Sequence, residues 1–256
     1  MFEIFLLPII LVAILLILAI PLIFIYLFLR LSETAFEQVG FDHWHASLAV
    51  FGSVVGSFVD IPLHLGPITS YPEWYMSLTN ALGMEFASDF NPFYLAVNVG
   101  GCIIPLAISL DLIRRKRSST KKALLGIMVV AIITYYFAMP IPNEGIVLPF
   151  WIPPTLAAFC GLALAKGLDK APTLAYISGS IGTLLGADIF MLITPGVLVI
   201  LSPPTYHATK PLVLSIGGAG VFDGIFLTGV MAVLLAAGIV CIFHGSCDGV
   251  MHKSRD

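Results

Sequence analysis

The sequence predicts an all-α protein, a polytopic membrane helix bundle of about seven transmembrane helices, with the N-terminus outside and the C-terminus cytoplasmic. Three observations carry this. Of the 256 residues, 59% are hydrophobic and 11% charged, with a mean hydropathy of +1.02; a soluble domain carries about 25% charged residues. Apolar runs long enough to cross a ~30 Å hydrocarbon core recur along the chain. With seven spans, Arg30, the basic run at 114–122, Lys166, Lys170, Lys253 and Arg255 share one side, so only Lys210 of the 12 Lys and Arg lies opposite. The positive-inside rule makes that shared side cytoplasmic. A single membrane domain is expected over 1–256, in the cell (inner, cytoplasmic) membrane. Membrane lipids are the expected partners. The net charge of −3 gives no footing for nucleic acid.

The elements follow in order. Helix 5–29 is uniformly apolar and closes at Arg30, which suits a lipid-facing span. Its apolar run is of spanning length, and Glu3 stands where a signal peptide would carry basic residues. A polar connection, SETAFEQVGFDHWH, leads to helix 46–63. Within that connection Asp42, His43 and His45 read as a solvated cluster. The loop 66–91 holds Tyr71, Trp74, Tyr75 and Phe86, which suit a segment lying in the membrane interface. Helix 92–113 contains NVGGCIIP and precedes RRKRSSTKK, a topology determinant with a secondary affinity for anionic lipid. Helix 123–139, a loop with three prolines and Glu144, and a short helix 153–165 come next. Helix 172–193 opens on Pro172, a residue at home in a first helical turn. The last span is read over 211–243. Cys102, Cys160, Cys241 and Cys247 make no metal-binding spacing and read as small core residues.

Chemistry is expected where carboxylates enter the membrane, because a charge there is costly and is functional by default. The stretch SIGGAGVFDGIFLTG carries Asp223 beside Gly217, Gly218, Gly220 and Gly224, which permit close approach of a backbone or ligand. Counting along the helices places Asp60, Asn98, Asp188 and Asp223 in the outer half of the bilayer. Two functions fit. Asp188 and Asp223 could form a catalytic diaspartyl pair that shares a proton and hydrolyses a transmembrane peptide. Alternatively, both aspartates with Asp60, Asn98 and the four glycines could bind a cation or carry protons, as in a coupled transporter or ion-binding membrane protein. Structural carboxylates satisfied by neighbouring hydroxyls and backbone are the third possibility. No residue pattern calls for a resident metal or a cofactor. A short gapped match links GSVVGSFVDI to GSIGTLLGADI and NVGGC to SIGGA; it would be a parallel repeat, although a chain rich in Gly and Ala also produces such matches by chance.

The stretches AYISGSIGTLLGADI, SIGGAGVFDGIFLTG and NVGGCIIPL, with the IPL that follows Asp60, resemble an uncharacterised prokaryotic membrane family, domain of unknown function 1614. The resemblance covers roughly 50–240 and implies no activity. Asp60 stands where the family pattern leads one to expect Asn. A second resemblance concerns mechanism: intramembrane aspartyl proteases of the presenilin and signal-peptide-peptidase type place an aspartate on one helix and Gly-x-Gly-Asp on the next. Here Asp188 is followed by GAGVFD, with two extra residues before Asp223 and no later Pro-Ala-Leu motif.

Overall fold

A computed structural model describes residues 2–86, 88–115, 118–142, 144–204, 212–218 and 224–244, with side chains described from 14 to 243 within those ranges. The chain is mostly helical. Four of its described helical segments are long and apolar enough to cross a membrane: Ile14–Val39, Thr120–Phe137, Leu168–Phe190 and Gly224–Phe243; Ile152–Leu164 is apolar but shorter.

Helix α1 runs Phe2–Val39 and does not stop at Arg30. The polar SETAFEQV segment continues it, because Glu33 accepts from both Arg30 and Ser47 and Ala35, Phe36 and Val39 are buried in the core. It ends at Gly40, whose φ of +99° permits the left-handed turn. The Gly40 N–H donates to Glu37 O and the Phe41 N–H to Phe36 O, which satisfies the last carbonyls. Upstream, the apolar side chains from Ile14 to Leu27 are almost all exposed, as a lipid-facing surface requires.

Helix α2 spans His43–Gly56, β1 Asp60–Pro62 and α3 Glu73–Ala81. β2 spans Phe93–Asn98, followed by a π-helical turn Val99–Ile103 and α4 Ile104–Arg114. The expected helices 46–63 and 92–113 are therefore each part helix and part strand. Gly56 ends α2, and the Asp60-Ile61-Pro62 that follows is extended. Asn98 is extended because its side chain caps the turn that begins after it; the two glycines behind it are poor helix formers, and Pro105 suits the start of α4.

Helix α5 spans Thr120–Phe137, a hairpin pairs β3 Met139–Ile141 with β4 Gly145–Val147, and α6 spans Ile152–Leu164. Helix α7, Ala171–Thr183, runs on into a π-helical turn Leu184–Phe190, and the short α8 spans Val197–Leu201. The expected span 211–243 is broken: β5 takes Leu212–Ile216, and α9 takes Gly224–His244. Gly217 separates them with φ +76°. β1, β2 and β5 form one sheet, with β2 antiparallel to β1 and parallel to β5.

α7 is the central helix, packed against α5, α6 and α9. Its small residues allow this. A Cβ on Gly182 would sit 2.6 Å from Val130 of α5, and one on Gly179 would sit 2.9 Å from Ala157 of α6. In membranes such close backbone approach replaces the hydrophobic drive that lipid cannot supply. Phe36, Tyr176 and Phe226 form the aromatic centre. The 66–91 segment builds its own cluster, in which Tyr71 stacks on Tyr75 and meets Phe86 and Phe90 edge-on. Cys102 and Cys160 are buried and not disulfide-bonded, whereas Cys241 is disulfide-bonded rather than an unmodified core residue.

Candidate functional site

The breaks in the helices assemble one polar site. Asn98, only 2% exposed, ends β2 and uses its whole amide. Its Oδ1 accepts from the Gly101 N–H at 2.9 Å, and its Nδ2 donates to Ser57 O at 2.8 Å and to Asp60 Oδ1 at 3.0 Å. Asp60 and Asn98 are register partners in the β1–β2 ladder. The same Asp60 oxygen accepts from Ser215 Oγ at 2.5 Å, a contact that reaches past β2 to β5. One carboxylate thus ties all three strands.

Asp188 arrives from the other side, on the π-helical turn after α7. Its Oδ2 accepts from the Gly217 N–H at 2.6 Å. That contact needs Gly217 in its left-handed conformation and pressed against the other π-helical turn: an added Cβ would lie 2.8 Å from both Cβ and N of Cys102. A π-helical turn widens a helix locally and is frequent at functional sites. Here Asn98 caps one such turn and Asp188 sits within the other.

Asp60, Asn98, Glu144, Asp188 and Ser215 line one open cavity of about 530 Å³. No Lys, Arg or His is among its described lining residues. A second cavity of about 280 Å³ touches Asp188, Thr183, Gly217, Gly218 and Gly224. Asp188 therefore forms part of the wall of both. Among the described residues, no three His, Cys, Asp or Glu side chains gather closely enough to hold a metal ion.

Of the residues singled out from sequence, Asp60, Asn98, Asp188 and Gly218 meet at the first cavity, and Gly217, Gly218 and Gly224 at the second. Gly217 is the glycine whose backbone and lack of a side chain the site requires. Among the described residues, nothing lies within 4 Å of a Cβ added at Gly224. Asp223 and Gly220 lie outside the described residues, so the diaspartyl pair does too. Glu144 and Ser215 were missed as site residues. The signal for Glu144 was its position as a lone carboxylate in the apolar, proline-rich hairpin, on the side of the bundle where the other acids were expected.

The family model described as "Protein of unknown function (DUF1614)" matches residues 54–235. The chain belongs to this family. The matched DUF1614 region contains Asp60, Asn98, Glu144, Asp188 and Ser215, and all the described lining residues of the first cavity fall within it. No curated protein and no solved structure matches the chain. The short sequence match between NVGGC and SIGGA begins at the C-terminal ends of the adjacent parallel strands β2 and β5, and its glycines lie beyond them. The ladder pairs Val97 with Ile216, two positions off the alignment of the glycines.

Proposed function

We propose that this membrane protein binds a small cation in the acid-lined cavity and moves it in a cation- or proton-coupled transport cycle. The observation that carries the reading is the convergence of Asp60, Glu144 and Asp188, from three separate stretches of chain, on one cavity with no basic residue among its described lining residues. Uncompensated acids at a broken helix suit a positive ligand, and transporters place their sites at such breaks. The volume of about 530 Å³ lies in the range of small-molecule sites. Among the described residues no three acids cluster for chelation, which favours a hydrated or organic cation over a tightly ligated metal. Asp60 is oriented by Asn98 and Ser215, and Asp188 by the Gly217 N–H; each can exchange a proton for the cation's charge. In this reading the two broken segments count among seven passes, the basic ends are cytoplasmic, and the cavity opens to the outside of the cell membrane.

The test is reconstitution of the full chain in liposomes with a pH-sensitive dye inside. Gradients of Na⁺, K⁺, Mg²⁺ and small amines are imposed in turn. The wild type is expected to couple one of them to a pH change, and Asp60→Asn and Asp188→Asn to abolish it while still eluting as monodisperse protein. Flux unchanged in both variants overturns the reading. A diaspartyl peptide hydrolase using Asp188 and Asp223 is the second reading, favoured by the smaller cavity that joins Asp188 to Gly224, the neighbour of Asp223 in sequence. Cleavage of a model transmembrane peptide that is lost in Asp223→Asn selects it.

A further inference from the structure

The two cavities that meet at Asp188 differ in chemistry. Polar groups from three strands and a hairpin stand in the wall of the larger one. The smaller, of about 280 Å³, is walled mainly by apolar side chains: Leu148, Phe150 and Pro153 before and at the start of α6, and Ile225 and Leu227 on α9. Asp188 is the one charged residue among its described lining residues. The Gly217 N–H bonds one oxygen of that carboxylate, Oδ2, which orients the charge without cancelling it. Thr183 belongs to the same wall. It is 5% exposed, and its hydroxyl is buried with no hydrogen-bond partner among the described residues. A threonine in a helix ordinarily bonds a carbonyl one turn back, as Thr134 and Thr155 do here. Thr183 precedes Asp188 by five residues, across the π-helical turn. An α-helix would splay such a pair, whereas i→i+5 bonding stacks it on one face. The turn thus sets an unused hydroxyl beside a carboxylate, and a buried hydroxyl without a partner is costly unless a ligand bonds it.

We propose, as a refinement that rests on the cation reading above, that the ligand is an organic ammonium bearing an apolar substituent of several carbons. A primary ammonium has three donors and no acceptor. One donor goes to Asp188, one to the Thr183 hydroxyl, and the third to water in the larger cavity. The substituent lies against the apolar wall of the smaller cavity. A hydrated metal ion would leave that wall unused, and a neutral apolar molecule would leave the carboxylate without a counter-charge.

Isothermal titration calorimetry of the purified full chain in detergent tests this, with ethyl-, butyl- and hexylammonium as probes and hexanol as the neutral match. Each probe is equilibrated with the same detergent beforehand. Affinity is expected to rise along the series by up to about fourfold per methylene, and hexanol to bind about tenfold more weakly than hexylammonium. Asp188→Asn should abolish the preference for hexylammonium over hexanol. Thr183→Val keeps the shape and removes the hydroxyl. It should weaken hexylammonium by about threefold or more while the ligand-free protein melts at or above the wild-type temperature, a pair of results that a merely structural threonine does not give. Leu227→Trp, at a half-buried position of the smaller cavity, should flatten the series. Each variant is first checked for monodisperse elution. Hexanol binding as tightly as hexylammonium, a flat series in the wild type, or unchanged affinity in Thr183→Val overturns the proposal. Hexylammonium bound as expected but coupled to no pH change in liposomes strikes the transport reading and leaves the site, whereas Na⁺-coupled flux beside a flat amine series strikes the site alone.

Discussion

Replacing Gly217 by alanine tests whether the turn after β5 holds the acidic cavity together. Gly217 has φ +76°, a region that costs an L-residue about 1–2 kcal/mol. The added Cβ would lie 2.8 Å from Cβ and N of Cys102 and 2.9 Å from the carbonyl carbon of Gly101. These are main-chain and first side-chain atoms of a π-helical turn and cannot swing aside, so overpacking adds about 1–3 kcal/mol. The sum is roughly 2–5 kcal/mol, a large share of a total stability of about 5–15 kcal/mol. Any relaxation also moves the N–H that orients Asp188, so site geometry and stability should fail together. The assay is thermal unfolding of the full chain in detergent, followed by size-exclusion chromatography. Gly238→Ala is the matched control: it sits inside α9 with nothing among the described residues within 4 Å of an added Cβ, and it should be neutral or stabilising by up to about 1 kcal/mol. A Gly217→Ala protein that melts with the wild type would refute the packing of β5's turn on the Val99–Ile103 turn.

Asn98→Ala removes the cap of that turn and two further donor contacts from a buried site, and should lower stability by about 2–4 kcal/mol in the same melting assay. Burial pushes the Tyr71 phenol above its ordinary value, and burial does the same to Tyr75. The folded state then binds more protons than the unfolded one at alkaline pH, so stability falls as pH rises past about 10. Ultraviolet titration should show late-ionising tyrosines, and Tyr71→Phe should remove one such step.

Hydropathy alone located the apolar helices and the membrane class, because a long run of Leu, Ile, Val and Phe has few other solutions in a bilayer. It read past the strands. Phe93–Asn98 and Leu212–Ile216 are as apolar as the helices they precede, and a continuous apolar run carries no period by which to tell extended chain from helix. The deciding groups were local: the Asn98 side chain took the capping role, and Gly217 took a left-handed turn. The polar tail of α1 was read as a connection because its buried Ala35, Phe36 and Val39 are spaced among charges that pair locally. Asp60, Asn98 and Asp188, which the fold brings to one cavity, stand out in the sequence since each is conspicuous in apolar surroundings. Glu144 was not, because a carboxylate in a loop is ordinarily solvated and only the folded hairpin turns it toward the others.

The small mixed sheet bears on where the bilayer can lie. β1 and β5 are its two margins, and among the described residues each leaves one row of peptide groups without a strand beside it. Three strands cannot close on themselves, and hydrocarbon accepts no such open row. Pro62 removes one donor from the exposed β1 margin but not the rest. Hydrocarbon against these margins would leave peptide groups unsatisfied, so the strands that carry Asp60 and Ser215 require water or protein at their edges rather than acyl chains.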